Sequence, residues 1–332
     1  MSKKIGIPRS LLYYYYYPGW EEFFANLNYD VVLSPPTNKG ILDDGVRLAV
    51  DDLCLPFKVY FGHVKWLLDK VDYLFIPRLM SFGKGNKFCP KFMGLPDMIK
   101  AVFSNNNLPY ILEPVIENKN KFFPFHKSSL NIGRILGFNY IQIESAYWKA
   151  LKKQRKFNDL KLKKYTSEEA IEGIKNEHSQ KKRHFSSNKP TVVILGHSYI
   201  INDRFMSMGL FDHLEDMGVQ YITSEMLEEG KIEKASLAQG KTSFWYFNRH
   251  ILGTAYYYLN NESNKNFIDG LIQVTAFGCG PDSMISQLID LRGKKEKDIS
   301  ILNINLDEHS GQAGLKTRLE AFIDLLERRK GA

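Results

Sequence analysis

Cys54-Leu55-Pro56, Cys89-Pro90 and Cys279-Gly280-Pro281 hold every cysteine of this chain, each with a proline one or two positions on. Two positions would catch a proline by chance roughly 8% of the time, and three cysteines in a row on the order of once in two thousand, if they behaved as ordinary buried residues. Thiolates are ligands for soft metals and iron–sulfur clusters, and iron–sulfur runs that end in Cys-Pro show the same pairing. A proline beside such a ligand stiffens the segment that carries it. Cys54, Cys89 and Cys279 are therefore expected to bind one iron–sulfur cluster. Two other readings stand beside it: buried structural thiols, and zinc completed by His63 or His197. The odd count opposes disulfides, and no CxxC pair is present to start a structural zinc site.

Three cysteines on a four-iron cluster leave one iron without a protein ligand, an open position for a substrate oxygen. Gly278 and Gly280 leave room for a bulky inorganic core, and Ser283 completes a turn whose donors would tune it. Arg9 and Arg78 each follow a proline at an expected strand end, and with His197 and Glu308 they are the candidates for catalytic roles. Lys91 and His309 lie close to these positions. Asp282 and Ser283 are expected to cap the helix after Cys279. No Ser-His-Asp or HExxH pattern gives a hydrolase reading an anchor.

At 332 residues, with 44% hydrophobic and 25% charged residues, the chain is expected to split into about two domains. No stretch approaches an apolar membrane span or a secretory leader, so cytoplasmic residence is expected, with no membrane partner. The net charge is +8, and residues 149–189 alone hold 13 Lys and Arg against 5 Asp and Glu. That run is expected to be a solvated connector face or a dock for an acidic or phosphate-bearing partner. No aromatic-interleaved binding motif accompanies the charge, so nucleic acid is not expected.

Strand and helix patterns alternate along the chain, which points to α/β architecture. Strands are expected at Lys4–Pro8, Val31–Leu33, Tyr73–Ile76 (stopped by Pro77), Tyr110–Leu112, Thr191–Leu195, Val219–Ile222, Leu271–Ala276 and Ile299–Ile304. Helices are expected at Leu11–Asn28, Leu42–Leu53, Lys58–Asp69, Pro96–Phe103, Phe205–Met217, Ser243–Leu259, Asp282–Leu291 and Gly314–Arg329, the second of them delivering Cys54 at its end. The five tyrosines Tyr13–Tyr17 would cover every face of the first helix. The fold expected is two Rossmann-like, flavodoxin-like parallel-sheet domains, 1–150 and 191–332, joined by a basic helical connector, 151–190, with the cluster in the interdomain cleft. Cys279 follows a strand and precedes a helix, where open α/β sheets bind ligands.

The same stretches resemble the 2-hydroxyacyl-CoA dehydratase component family, in its activase-associated branch. They are Gly6-Ile7-Pro8-Arg9 with the tyrosine run, Leu33-Ser34-Pro35-Pro36-Thr37-Asn38, Asp52-Leu53-Cys54-Leu55-Pro56, Phe75-Ile76-Pro77-Arg78, Cys89-Pro90-Lys91-Phe92, Phe277-Gly278-Cys279-Gly280-Pro281-Asp282-Ser283 and Leu306-Asp307-Glu308-His309-Ser310-Gly311. The resemblance implies a [4Fe–4S] cluster, or in one branch a double-cubane cluster, on three cysteines that map to Cys54, Cys89 and Cys279. It implies an ATP-dependent activase as electron donor, an acyl-CoA substrate dehydrated through a ketyl radical, and a dimer. Gly83-Lys84-Gly85 lacks the spacing of a phosphate-binding loop, so the chain is expected to accept electrons rather than hydrolyse ATP. It would then be a dehydratase-like lyase or a low-potential reductase component. The alternatives are a non-catalytic electron-transfer or regulatory cluster protein, and a cluster-free α/β binding protein.

Overall fold

Short apolar runs ending at Pro or Gly pair as parallel strands in the computed structural model, which describes residues 2–82, 86–104, 107–118, 125–176, 185–186, 188–238, 243–260, 267–295 and 299–330. The Gly83–Gly85 motif and residues 177–184 and 187 of the basic run lie outside the described residues. Contacts divide the chain into one unit of Met1–Asp159 with Phe244–Tyr246 and a second of Leu160–Ser243 with Phe247–Ala332. The described part of the basic run comprises the second half of a 23-residue helix, Tyr140–Leu162, and a nine-residue helix, Ser167–Lys175.

In the first unit, strands β1 (Lys4–Ile7), β2 (Asp30–Leu33), β3 (Tyr73–Phe75) and β5 (Tyr110–Leu112) form a parallel sheet in the order β2-β1-β3-β5. The strand expected to stop at Pro77 resumes as β4 (Arg78–Phe82), parallel to β6 (Val115–Asn118). Pro77 removes only one ladder donor: on either side of it, Ile76 N donates to Leu112 O and Arg78 N to Pro114 O. Helix α1 (Tyr13–Asn26) carries the tyrosine run, with Tyr13, Tyr14 and Tyr17 buried and Tyr15 and Tyr16 half-buried.

Helices α2 (Lys39–Leu48) and α3 (Leu55–Leu67) cross at their glycines. A Cβ on Gly45 would overlap the Lys58 carbonyl, and one on Gly62 would overlap the Ile41 carbonyl. The helix expected to run to Leu53 ends at Leu48 instead. Pro56 is tolerated in a first helical turn but not in an interior, so a new helix starts just before it. Cys54 therefore begins α3 rather than ending α2. Short helices α4 (Pro90–Met93) and α5 (Leu95–Val102) lead to β5, and α6 (His126–Ile135) leads to α7 (Tyr140–Leu162).

The second unit has the sheet order β10-β9-β7-β8, all parallel, from β7 (Thr191–Leu195), β8 (Gln220–Thr223), β9 (Gly270–Ala276) and β10 (Ser300–Leu306). Every residue of β7 is buried, as for a central strand covered on both faces. Helix α8 (Ser167–Lys175) opens on a capping box between Thr166 and Glu169. After β7 come α9 (Ser198–Ile201) and α10 (Leu210–Asp216). The helix expected from Phe205 starts only at Leu210. Asp203 Oδ1 accepts from the amides of both Phe205 and Met206, and Met208 and Gly209 take left-handed φ of 53° and 71°, which delays it. Helices α11 (Glu229–Leu237), α12 (Tyr246–Leu259), α13 (Gly280–Gly293) and α14 (Gln312–Lys330) complete the described elements. Helix α14 buries Leu315, Leu319, Phe322, Ile323 and Leu326 at helical spacing, and Gly270 is kept free of a Cβ beneath Phe322. Among the described residues no helix is long and apolar enough to cross a membrane.

Candidate metal-binding site

All three cysteines occupy the same local position: each is the N-cap of a helix with a proline in its first turn. Cys54 caps α3, Cys89 caps α4 and Cys279 caps α13, and none uses its side chain to cap the first-turn amides. The prolines lose nothing there, because first-turn N–H groups have no intrahelical acceptor. In long helices such as α3 and α13 the N-terminus carries positive partial charge, which favours a thiolate. A helix entering a parallel strand runs opposite to it, so the starts of these helices lie on the carboxyl side of their own sheets. None of the three is in a disulfide.

In the first unit the two cysteine-bearing turns are packed together. Phe57, three residues after Cys54, meets Phe92, three residues after Cys89, edge to face with ring centroids 5.1 Å apart. Phe88 extends this apolar cluster toward Phe82 and Tyr246. Cys54 is buried and Cys89 half-buried. Behind α3, His63 is buried with both nitrogens occupied: Nδ1 lies 2.8 Å from Ser34 Oγ and Nε2 lies 3.0 Å from Thr37 Oγ1. Ser34 Oγ also accepts from the Arg9 amide at 2.8 Å. Burial, reinforced by the Arg9 charge, pushes the His63 pKa down to about 3. Neither nitrogen is available, which removes His63 as a zinc ligand in this arrangement.

Arg9 lies beyond the end of β1 with its guanidinium 5.4 Å from the Tyr13 ring. Arg78 is placed at the start of β4, where it forms a two-pronged pair with Asp97 (2.6 and 2.8 Å), contacts Glu113 at 3.2 Å and donates to Met93 O. The hydrogen bonds it donates to Asp97 hold its guanidinium above its ordinary pKa. Lys91 sits half-buried in α4.

In the second unit, His197 and Cys279 follow adjacent strands, β7 and β9. The strand order reverses between these two strands, and open α/β sheets place their ligand crevice at that point. Gly196 permits the approach: a Cβ there would lie 2.7 Å from Ile201 Cγ2 and 2.9 Å from Val274 O. Gly278 turns the chain after β9 with φ +76°, and nothing lies within 4 Å of the space a Gly280 Cβ would take. His197 Nε2 lies 2.8 Å from Asp282 Oδ1, and Asn248 Nδ2 donates to the same oxygen at 2.6 Å. Tyr199 stacks on the imidazole at 4.8 Å with planes 11° apart. One ligand-type atom each from His197, Cys279 and Asp282 lies within 4.8 Å of the other two.

Asp282 is therefore not the cap expected of it but the buried centre of a polar cluster. Ser283 Oγ donates to Cys279 O at 3.1 Å. Glu308 is half-buried in the turn after β10. There Asp307 accepts from His309 N and Ser310 Oγ, and the Ser310 bond leads in lowering the Asp307 pKa. Asn248 and Tyr199 carried no signal in the sequence, because their part depends on α12 and α9 being brought to the end of β7.

These features define an α/β protein with thiols at the starts of helices on the carboxyl side of its parallel sheets. Residues 4–227 match the family model described as CoA enzyme activase uncharacterised domain, and the chain belongs to that family. No curated protein is detectably similar to it.

Proposed function

We propose that this chain is an iron–sulfur component that accepts low-potential electrons from an ATP-dependent activase, for reductive or radical dehydration of an acyl-CoA. The observation that carries the reading is the shared placement of Cys54, Cys89 and Cys279 as proline-braced helix N-caps whose side chains are not used for capping. The donor set fits the group, since thiolates suit iron–sulfur clusters and a site rich in N–H donors offsets their negative charge. Family membership supports the link to activase chemistry. When bound, a cluster on three thiols supplies one-electron chemistry and an iron open to a substrate oxygen.

The chain's own residues would do the rest. The first turns of α3 and α13 stabilise negative charge, and the Phe57–Phe92 contact keeps water from the Cys54 and Cys89 turns. The left-handed turn at Gly278 sets the direction of Cys279. The test is anaerobic loading of the full chain with iron and sulfide, then reduction by dithionite or titanium(III) citrate. A reducible iron–sulfur EPR signal is expected. Loaded iron that no low-potential reductant reduces would remove the electron-accepting role.

A further inference from the structure

We propose that helix α13 is an interface between two copies of this chain, packed antiparallel about a two-fold axis that passes Leu288. Ile285 and Ile289 of this helix are buried, the inward stripe that any surface helix needs. The side turned away from them should then be polar. Instead Met284, Leu288 and Leu291 stand there at helical spacing, 62%, 41% and 57% exposed. Phe277, in the turn before the helix, is also largely exposed. Exposed apolar residues scattered singly are ordinary, whereas a row of them on one helix face marks a surface that another protein covers.

Area and charge together point to a second copy as the occupant. The three side chains leave roughly 300 Å² of apolar surface open, and Phe277 adds about 100 Å². A standard interface buries about 800 Å² per partner, of which about 65% is apolar in homodimers. This one face therefore supplies most of the apolar area that a stable dimer needs. The chain carries a net charge of +8, and at a two-fold axis each residue meets its own copy, so like charges there would repel. From Gly280 to Gly293 no charged side chain is exposed: Asp282 is buried, and Asp290 and Arg292 are half-buried. Asp290 is held from within its own unit by Gln273 and Asn303. The exposed polar side chains of the stretch, Ser283 and Gln287, are neutral. A cationic chain can meet itself through such a face.

The first exposed charges come just past the helix, at Lys294 and Lys295. Lys295 lies about 10 Å along the axis from Leu288. In an antiparallel pair the two copies of this lysine fall on opposite sides of the two-fold axis, about 20 Å apart, well beyond the Debye length of about 8 Å. The same register sets Lys295 of the partner subunit level with Pro281, in the turn that carries Cys279. Each copy would then bring a cation to the Cys279 turn of the other, where positive charge favours the thiolate. The interface does not depend on the electron-accepting reading.

The experiment is sedimentation velocity on the full chain, without added iron, from about 1 to 100 μM. Wild type is expected at twice the 38.4 kDa chain mass. Leu288→Glu, folded by circular dichroism, is expected at the single-chain mass. Ile141→Glu, at an exposed apolar position in the first unit, should leave the dimer intact. A second measurement locates the axis by crosslinking with copper phenanthroline in air, which oxidises two thiols to a disulfide. In the chain with Cys54→Ser, Cys89→Ser and Cys279→Ser, an added Leu288→Cys should crosslink to its own copy and an added Lys295→Cys should not. A wild type that stays monomeric would overturn the proposal and leave the stripe to a different protein. A dimer that survives in folded Leu288→Glu, or crosslinking at Lys295→Cys but not at Leu288→Cys, would overturn it as well. Failure of iron and sulfide to assemble would leave all these outcomes unchanged, so the two readings fail separately.

Discussion

Each unit buries a histidine beside the carboxyl end of its parallel sheet, and the two are held in opposite ways. His63 is clasped between Ser34 and Thr37 with both nitrogens bonded. His197 is anchored through Nε2 alone, its other nitrogen buried and unpartnered among the described residues. The first arrangement completes a core, and the second leaves one buried ring nitrogen without a hydrogen-bond partner among the described residues. Burial and residue type are the same in the two cases, so hydrogen-bond completeness is what separates the two rings.

The largest effect expected on this comparison comes from the seam that carries His63. Gly45→Ala or Gly62→Ala forces a methyl into a backbone carbonyl of the facing helix, and each should lower stability by about 3 kcal/mol or more. Urea unfolding would read this, with Gly230→Ala, whose added Cβ meets nothing within 4 Å, changing little. An unchanged midpoint in Gly62→Ala would break the account of the α2–α3 crossing.

His63→Leu leaves the Ser34 and Thr37 hydroxyls without their buried partner and should cost about 2 kcal/mol at neutral pH. It should also flatten the acid side of the stability curve. A histidine whose folded pKa is near 3, against 6.5 unfolded, takes up its proton only on unfolding across that window. Wild type should therefore lose ~1.4 kcal/mol per pH unit from this group as pH falls from about 6.5 toward 3. Equal acid slopes in wild type and His63→Leu would contradict the assignment.

Asn248→Leu sharpens the other half of the comparison. It removes one of two hydrogen-bond partners of Asp282 Oδ1, with an expected loss of about 1–2 kcal/mol read by urea unfolding. The smallest effect belongs to Arg78→Met. Asp97 is largely exposed, and partly exposed pairs contribute about 1 kcal/mol or less, so only a small drop in urea midpoint is expected.

Much of the fold was legible in the sequence. The strands at Thr191–Leu195 and Tyr110–Leu112 lie at the residues expected, because buried parallel strands read as short continuous apolar runs. Two of the errors came at prolines. Pro77 interrupts a strand that continues, and Pro56 starts a helix where the helix before it was expected to end at Cys54. Of the candidate residues, the cysteines announced themselves by their prolines. Asp282 read as a helix cap because its partners, His197 and Asn248, lie 85 and 34 positions away. Cross-strand and helix-to-strand pairings of that kind have no local signature.

The central proposal is that three helix-capping thiols act together, and the most direct measurement is iron and acid-labile sulfide content after anaerobic reconstitution. Wild type would be compared with Cys54→Ala, Cys89→Ala and Cys279→Ala. About four irons and four sulfides per wild-type chain, lost in each variant, is the result predicted. Somewhat more than four would indicate a double-cubane group. No iron or sulfide in folded wild type, or full loading in any one variant, would contradict it.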